Sequence, residues 1–180
     1  MERQIVVTQR ECPARLVPSG DKVTIPKDSF VTITQSLGGN YTVVLNGNMA
    51  RVDGTDADAL GLEGEPLVFE ELEGDIVHES HVWYALKTIF DPEIPVNLVD
   101  LGLIYSVSIN NDDSSNRQVT VIMTLTAPAC GMGPVLVSDV KYRVAKVPNV
   151  DNVEVELVFD PPWNREMMSE EAQLETGVFF

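Results

Sequence analysis

Apolar residues in the first part of the chain recur at every second position. Val23 and Ile25 precede Pro26, and Phe30–Thr34 is a β-branched run, both patterns of half-buried strands. Tyr41 to Leu45 alternates into Asn46-Gly47, a dipeptide suited to the two positive-φ positions of a type I′ turn. Met49 to Val52 is therefore predicted to return antiparallel. Gly38-Gly39 reads as a break between strands. Thr55 to Gly61 predicts a short helical turn, capped at Thr55 and closed at Gly61. Residues 61–77 hold three glycines, a proline and a run of acids, which predicts a linker with an edge strand around Leu67 to Phe69.

From residue 78 the period changes. Val82, Ala85, Leu86, Ile89 and Phe90 fall at helical spacing, predicting an amphipathic helix capped by Ser80 and ended by Asp91-Pro92. Leu103, Tyr105, Val107 and Ile109 alternate as a strand. Asn110 to Asn116 is a polar turn, and Val119, Val121, Met123 and Leu125 alternate as a second strand, completing a hairpin. A second helix begins at Pro134, with Val137, Val140, Val144 and Val147 along one face. Lys141, Arg143 and Lys146 lie toward its C-terminal end, where the helix dipole favours cations. Pro148-Asn149 stops it, and Val153, Val155, Leu157 and Phe159 form a third strand whose wet face carries Glu154 and Glu156. The order predicts an α+β fold: a small N-terminal all-β domain over residues 1–77, and a two-layer α-β-β-α-β domain over residues 78–180. The tail Glu170 to Leu174 is expected to pack as a helix on its own domain.

Charge narrows the function. The formal net charge is −16, with six basic and thirteen acidic residues in 1–77 and six and fifteen in 78–180. Acidity spread this evenly, with no basic cluster, argues against nucleic acid and anionic membranes as partners. No apolar run is long enough to span a bilayer, and the opening MERQIVVTQR has no apolar signal-peptide core, so a cytoplasmic protein is expected. The two cysteines, Cys12 and Cys130, are too few and too far apart for a disulfide framework. The acids Asp56 and Asp58 lack the loop glycine and distal glutamate of a calcium loop.

Topology then gathers the chemistry. The loop Asp91–Gly102 enters the first strand of the hairpin and the loop Thr126–Gly133 leaves the second, so both lie at one end. The third strand runs parallel to the second and brings Phe159 to Trp163 to the same edge. One rim is thus predicted to collect Asp91, Glu93, Asp100, Thr126, Cys130 and Asp160. A thiol just before a helix N-terminus meets unpaired N–H groups, which favour thiolate, while neighbouring carboxylates oppose it. Such a thiolate could ligate iron or zinc, or hold a cluster in passing. His78 and His81 are expected in a solvated stretch before the first helix, away from this rim, so no cysteine–histidine catalytic pair is expected.

The stretches Asp-Pro-Glu-Ile-Pro-Val-Asn-Leu-Val-Asp-Leu-Gly-Leu-Ile-Tyr at 91–105 and Met-Thr-Leu-Thr-Ala-Pro-Ala-Cys-Gly-Met-Gly at 123–133 resemble the paired motifs of the PaaD/SufT family of iron–sulfur maturation domains. Phe-Asp-Pro-Pro-Trp-Asn-Arg-Glu-Met-Met-Ser at 159–169 is similar to that family too, and the added N-terminal β module, with Gly-Gly-Asn-Tyr-Thr-Val, resembles the SufT type. The resemblance implies an accessory factor of the SUF-type iron–sulfur assembly pathway rather than an enzyme. It implies a reactive cysteine at Cys130, with Asp91, Glu93 and Thr126 as its supporting rim, and a transient iron–sulfur cluster or iron as cargo. Ala129 stands where the family commonly has glycine. The implied partners are assembly proteins and client apoproteins. One cysteine cannot hold a cluster alone, so a homodimer with facing Cys130 residues is one source of further ligands. The alternatives are a metal- or thiol-dependent enzyme on a small substrate, and a pure adaptor in which Cys130 is structural.

Overall fold

The computed structural model describes residues 3–37, 39–91, 94, 96–127, 131 and 133–177. Six strands form the first sheet: β1 (Gln4–Val7), β2 (Cys12–Leu16), β3 (Lys22–Ile25), β4 (Phe30–Leu37), β5 (Asn40–Leu45) and β6 (Asn48–Asp53). They pair antiparallel in the order β1-β4-β5-β6-β2-β3. The alternation read from sequence puts Val31, Ile33, Val43 and Val52 on the inner face with Cys12 and Ile25, all buried. Asn46 and Gly47 have φ 51° and 79°, the pair of positive values that turns β5 into β6.

A 3-10 helix follows at Gly54–Leu60. Its N-cap is Asp53, not Thr55: the Asp53 carboxylate accepts from the Thr55 backbone N–H (2.9 Å) and hydroxyl (2.7 Å). A carboxylate meets the unpaired N–H groups of a helix start better than a hydroxyl does. Gly61 closes it in the left-handed region, as expected. Leu67 to Phe69 is not a strand. Phe69 instead packs edge-on against His81 and Tyr84, with ring centroids 5.4 Å apart in each case.

The second sheet has three strands, β7 (Ile104–Asn110), β8 (Gln118–Met123) and β9 (Asn152–Leu157), with β7 antiparallel and β9 parallel to β8. Helices α1 (Glu79–Lys87) and α2 (Gly133–Val144) contribute Val82, Ala85, Leu86, Leu136, Val140 and Val144 to its core with Val119, Val121 and Met123. The N-cap of α1 is His78, with no side-chain cap, rather than Ser80. The helix ends at Lys87, ahead of Asp91-Pro92, where the Thr88 hydroxyl donates to Ala85 O at 2.6 Å. Ile89 stays buried, while Phe90 leaves the helix to bridge Asn97. A short α3 (Glu170–Glu175), capped by Ser169, buries Ala172 in the same core and leaves Leu174 exposed.

The two sheets meet on α2, which has two buried faces. One is the apolar face read from periodicity, with two changes: Leu136 is buried in place of the half-buried Val137, and Val147 is buried beyond the helix, which ends at Val144. The other carries Asp139 and Arg143, 0% and 4% exposed. Asp139 accepts hydrogen bonds from Arg15 Nη1 on β2, from Arg51 Nε on β6 (3.2 Å) and from Asn40 Nδ2 on β5 (3.4 Å). Arg51 Nη2 lies 3.0 Å from its other oxygen, off hydrogen-bond geometry. Arg143, expected to complete the helix dipole at the surface, is instead buried: Nε donates to Asp53 (2.9 Å) and Nη1 to Thr88 O (3.1 Å). Tyr142 donates to Asp56, and the Arg15 guanidinium sits 5.2 Å from its ring centroid. The acids that suggested calcium in the sequence are thus taken by arginine and tyrosine, with Arg10 bonded to both Asp56 and Asp58.

Burial pushes the Asp53 carboxyl up, but the Arg143 guanidinium and the bonds from Thr55 outweigh it and hold Asp53 below the usual carboxylate range. For Asp139 burial wins over the two arginines and the carboxyl lies above that range. The two acids therefore act on stability with opposite sign. Asp53, with its folded value depressed, contributes stability that is complete above the unfolded carboxylate pKa of about 4 and is lost as pH falls through the folded value. Asp53→Asn leaves Arg143 buried without its counter-charge and should cost about 3–5 kcal/mol at neutral pH. Urea titrations of wild type and variant should show that gap narrowing steadily below about pH 4, where wild-type Asp53 takes up its proton.

Candidate functional site

Strand register brings the predicted rim together at its base. Ile104 opens β7 opposite Met123, which ends β8, and Met123 pairs with Leu157, which ends β9. The backbone carries this past the strands: Thr124 N donates to Leu103 O (2.9 Å) and Val158 N to Met123 O (2.8 Å). A shift in register between Ile104 and Ser106 breaks the alternation of β7 at Tyr105, whose hydroxyl donates to Pro161 O at 2.6 Å. The segment after β9 is tied across the rim. Trp163 Nε1 donates to Leu101 O (2.6 Å), and Ser169 N donates to Asp100 O (2.8 Å). Gly102, with φ 77°, is where Met167 crosses; a Cβ there would collide with the Met167 backbone.

Beside this lacing lies a cavity of about 540 Å³ lined by Thr126, Trp163, Asn164, Arg165 and Glu166. Thr126 and Trp163 are where the topology predicted them. Arg165 and Glu166 were not foreseen as part of the rim, because they lie in a 3-10 turn (Arg165–Met167) that the motif does not announce. That turn is capped by Asn164, whose side chain accepts from Glu166 N at 2.9 Å. Two residues before Thr126, Thr124 is fully buried, and among the described residues its hydroxyl has no hydrogen-bond partner.

The acids of the rim do local work. Asp91 Oδ1 accepts from Ile94 N at 3.0 Å and its own N–H donates to Val96 O at 3.1 Å, so it shapes the loop into β7. Asp100 and Asn97 bond each other twice, side chain to side chain and Asp100 N to Asn97 Oδ1, which holds a turn. Asp160 is exposed. Cys130 and Glu93 lie outside the described residues. Among the described residues no group of three His, Cys, Asp or Glu side chains is placed to hold a metal ion.

The histidines correct the sequence reading. His81 is in the first turn of α1 and only 5% exposed; its Nε2 contacts Glu70 O at 2.7 Å, while His78 Nε2 contacts Glu73 O at 3.0 Å. Both rings therefore tie the acidic linker to α1, His81 buried against it and His78 half-exposed just before the helix. Cys12 is fully buried, and burial, reinforced by Asp56, pushes its thiol up to about 11. A second cavity, of about 450 Å³, sits where the linker meets α1 and α2, lined among others by Glu65, Tyr84, Lys87, Phe90 and Arg143. Its buried guanidinium already serves Asp53 and Thr88 O.

Relatives share this C-terminal architecture. The chain is 48% identical over 109 residues to a "Fe-S protein maturation auxiliary factor" of Porphyromonas gingivalis, spanning 61% of this chain and 94% of that protein. It is 39% identical over 90 residues to the "Fe-S protein maturation auxiliary factor SufT" of Staphylococcus aureus, 50% of this chain and 98% of that one. A crystal structure of a domain of unknown function, DUF59, from Bacillus anthracis is 36% identical with TM-score 0.51, covering 56% of this chain and 92% of that one. Each of these three is covered over more than nine-tenths of its own length by between half and about three-fifths of the present chain. Residues 79–157, which hold α1, the three-stranded sheet and α2, match the family described as iron–sulfur cluster assembly protein, and to that family the chain belongs.

Proposed function

We propose that this protein is an accessory factor in iron–sulfur protein maturation of the SUF type, acting as carrier or adaptor through the rim that contains Cys130. The observation that carries the reading is the convergence of three loops on one sheet edge, where Thr126 and Trp163 to Glu166 surround a cavity next to the thiol loop. The names of the relatives support the process. The mechanism rests on donor chemistry. One cysteine cannot hold a cluster alone, so Cys130 supplies one thiolate and the other ligands to an iron–sulfur cluster or iron come from the rim carboxylates, a small thiol or another molecule. A second copy of the chain, an assembly protein or a client apoprotein can each provide them. Cargo held by so few resident ligands leaves readily, which suits transfer better than storage.

In this reading residues 78–180 are the maturation domain, with Asp91, Glu93 and Thr126 supporting Cys130, and residues 1–77 are an added β domain. The place of action is the cytoplasm, where thiols stay reduced. Among the described residues no helix is long and apolar enough to cross a membrane.

Two measurements test the thiol. Cys130→Ala removes a loop side chain and should cost on the order of 1 kcal/mol or less in thermal or urea unfolding. The activity of a cluster-dependent client matured with the variant should nevertheless fall to the level seen without the factor. Full client activity with Cys130→Ala would leave the adaptor role and remove the carrier. In the folded wild type, alkylation at neutral pH followed by mass spectrometry should label Cys130 at least tenfold faster than Cys12, whose buried thiol carries almost no thiolate at that pH.

A further inference from the structure

The N-terminal sheet lies outside residues 79–157, the span that matches the family, yet it grips the helix that follows the thiol loop. We infer that it is a positioning device: Asp139, held by Arg15 and Arg51, together with the turn at Gly20, sets the place of the first turn of α2 and with it the rim. The functional weight of this inference rests on the maturation reading above; the positioning itself does not.

The two faces of α2 differ in what they can specify. Leu136, Val140, Val144 and Val147 pack in an apolar core, where attraction is non-directional and small shifts along or about the helix axis cost little. The ionic face is directional. Asp139 takes hydrogen bonds from Arg15 and Arg51 on two different strands, Arg143 reaches Asp53, and Tyr142 reaches Asp56. Charge-assisted bonds from fixed guanidinium planes set both rotation and translation. Replacing buried ion pairs by apolar side chains of similar volume often leaves stability unchanged, so such pairs are better explained by the geometry they impose.

A steric stop acts at the other end of the grip. Gly20, φ 78°, lies in the turn between β2 and β3, closed by Gly20 N to Leu16 O (2.7 Å) and Leu16 N to Asp21 O (2.8 Å). A Cβ on Gly20 would stand 2.6 Å from Pro134 O and 3.4 Å from Ser138 Cβ. The turn thus abuts the backbone of the first turn of α2, one residue after that helix begins at Gly133. Asp139 is about 7.5 Å further along the axis. Two contacts this far apart fix the start of α2 against the sheet, and Cys130 precedes that start by three residues in the chain.

The full chain carrying Arg15→Met, Arg51→Met and Asp139→Leu together tests this, with amide hydrogen exchange and thiol alkylation as readouts. The expected result is an unchanged far-UV circular dichroism spectrum, exchange at least tenfold faster at Val135, Leu136 and Val137, and a Cys130 alkylation rate changed at least threefold. Exchange in the β5–β6 hairpin should stay as in wild type. Gly20→Ala, which pushes on Pro134 O without touching a charge, should reproduce the faster exchange at the same amides and serves alone if the triple variant does not fold. Wild-type exchange at the first turn of α2 in a folded variant overturns the positioning role, whatever happens to client maturation. Faster exchange with client maturation intact supports the positioning and counts against the thiol loop as the working part, so the two readings fail separately.

Discussion

A carboxylate buried at Asp139 without exposure to water must be answered by positive charge, and the answer comes from Arg15 and Arg51 on the other sheet. Taking such a group out of water costs several kcal/mol, and only close, oriented guanidiniums offset it. The arrangement of the molecule follows from this. β2 and β6 must lie side by side to present both arginines, α2 must turn its second face toward them, and Arg143 must come inward where Asp53 is already capping a 3-10 helix. Four cations and four acids, Arg10, Arg15, Arg51 and Arg143 with Asp53, Asp56, Asp58 and Asp139, balance along one seam.

The rim is held in another way. Strand pairing aligns its base, and the segment after β9 crosses back over the loop before β7 through Trp163, Ser169 and the close approach of Met167 to Gly102. These are mostly bonds to backbone groups, so they define where the chain runs more than which side chains line it. Thr126, Asn164 and Glu166 line the cavity beside this lacing, the usual division between a fixed scaffold and the loops it carries.

Patterns with a local cause were legible in the amino-acid order. Alternation located β3 to β6 and the β7–β8 hairpin but not β1 and β2, Asn46-Gly47 located a turn, and helical spacing located both major helices. The meeting of three strand ends followed from topology alone. What escaped has causes remote in the chain. Arg143 obeys the rule for a helix-end cation, but Asp53, ninety residues earlier, draws it inside. Leu67 to Phe69 alternates as an edge strand would, yet the alternation reflects Phe69 packing on α1, where Tyr84 OH also accepts from Val68 N at 3.3 Å. His81 looked polar and exposed because nothing nearby in sequence shows that Glu70 O closes over it. Arg165 and Glu166 lie beyond the last strand, where no periodicity remains to place them.

The seam also constrains how such a molecule changes over generations. An aspartate on an open helix face is cheap to gain and cheap to lose, as is an arginine on an open sheet. Once Asp139 is enclosed by Arg15 and Arg51, no single replacement at these three positions is neutral: loss of Asp139 leaves two buried guanidiniums unanswered, and loss of either arginine leaves Asp139 with one oriented donor group instead of two. Only concerted change at positions far apart in the gene can undo the arrangement. The added sheet is therefore entrenched: lineages that possess it should keep the three residues as a set, drifting freely elsewhere on both sheets.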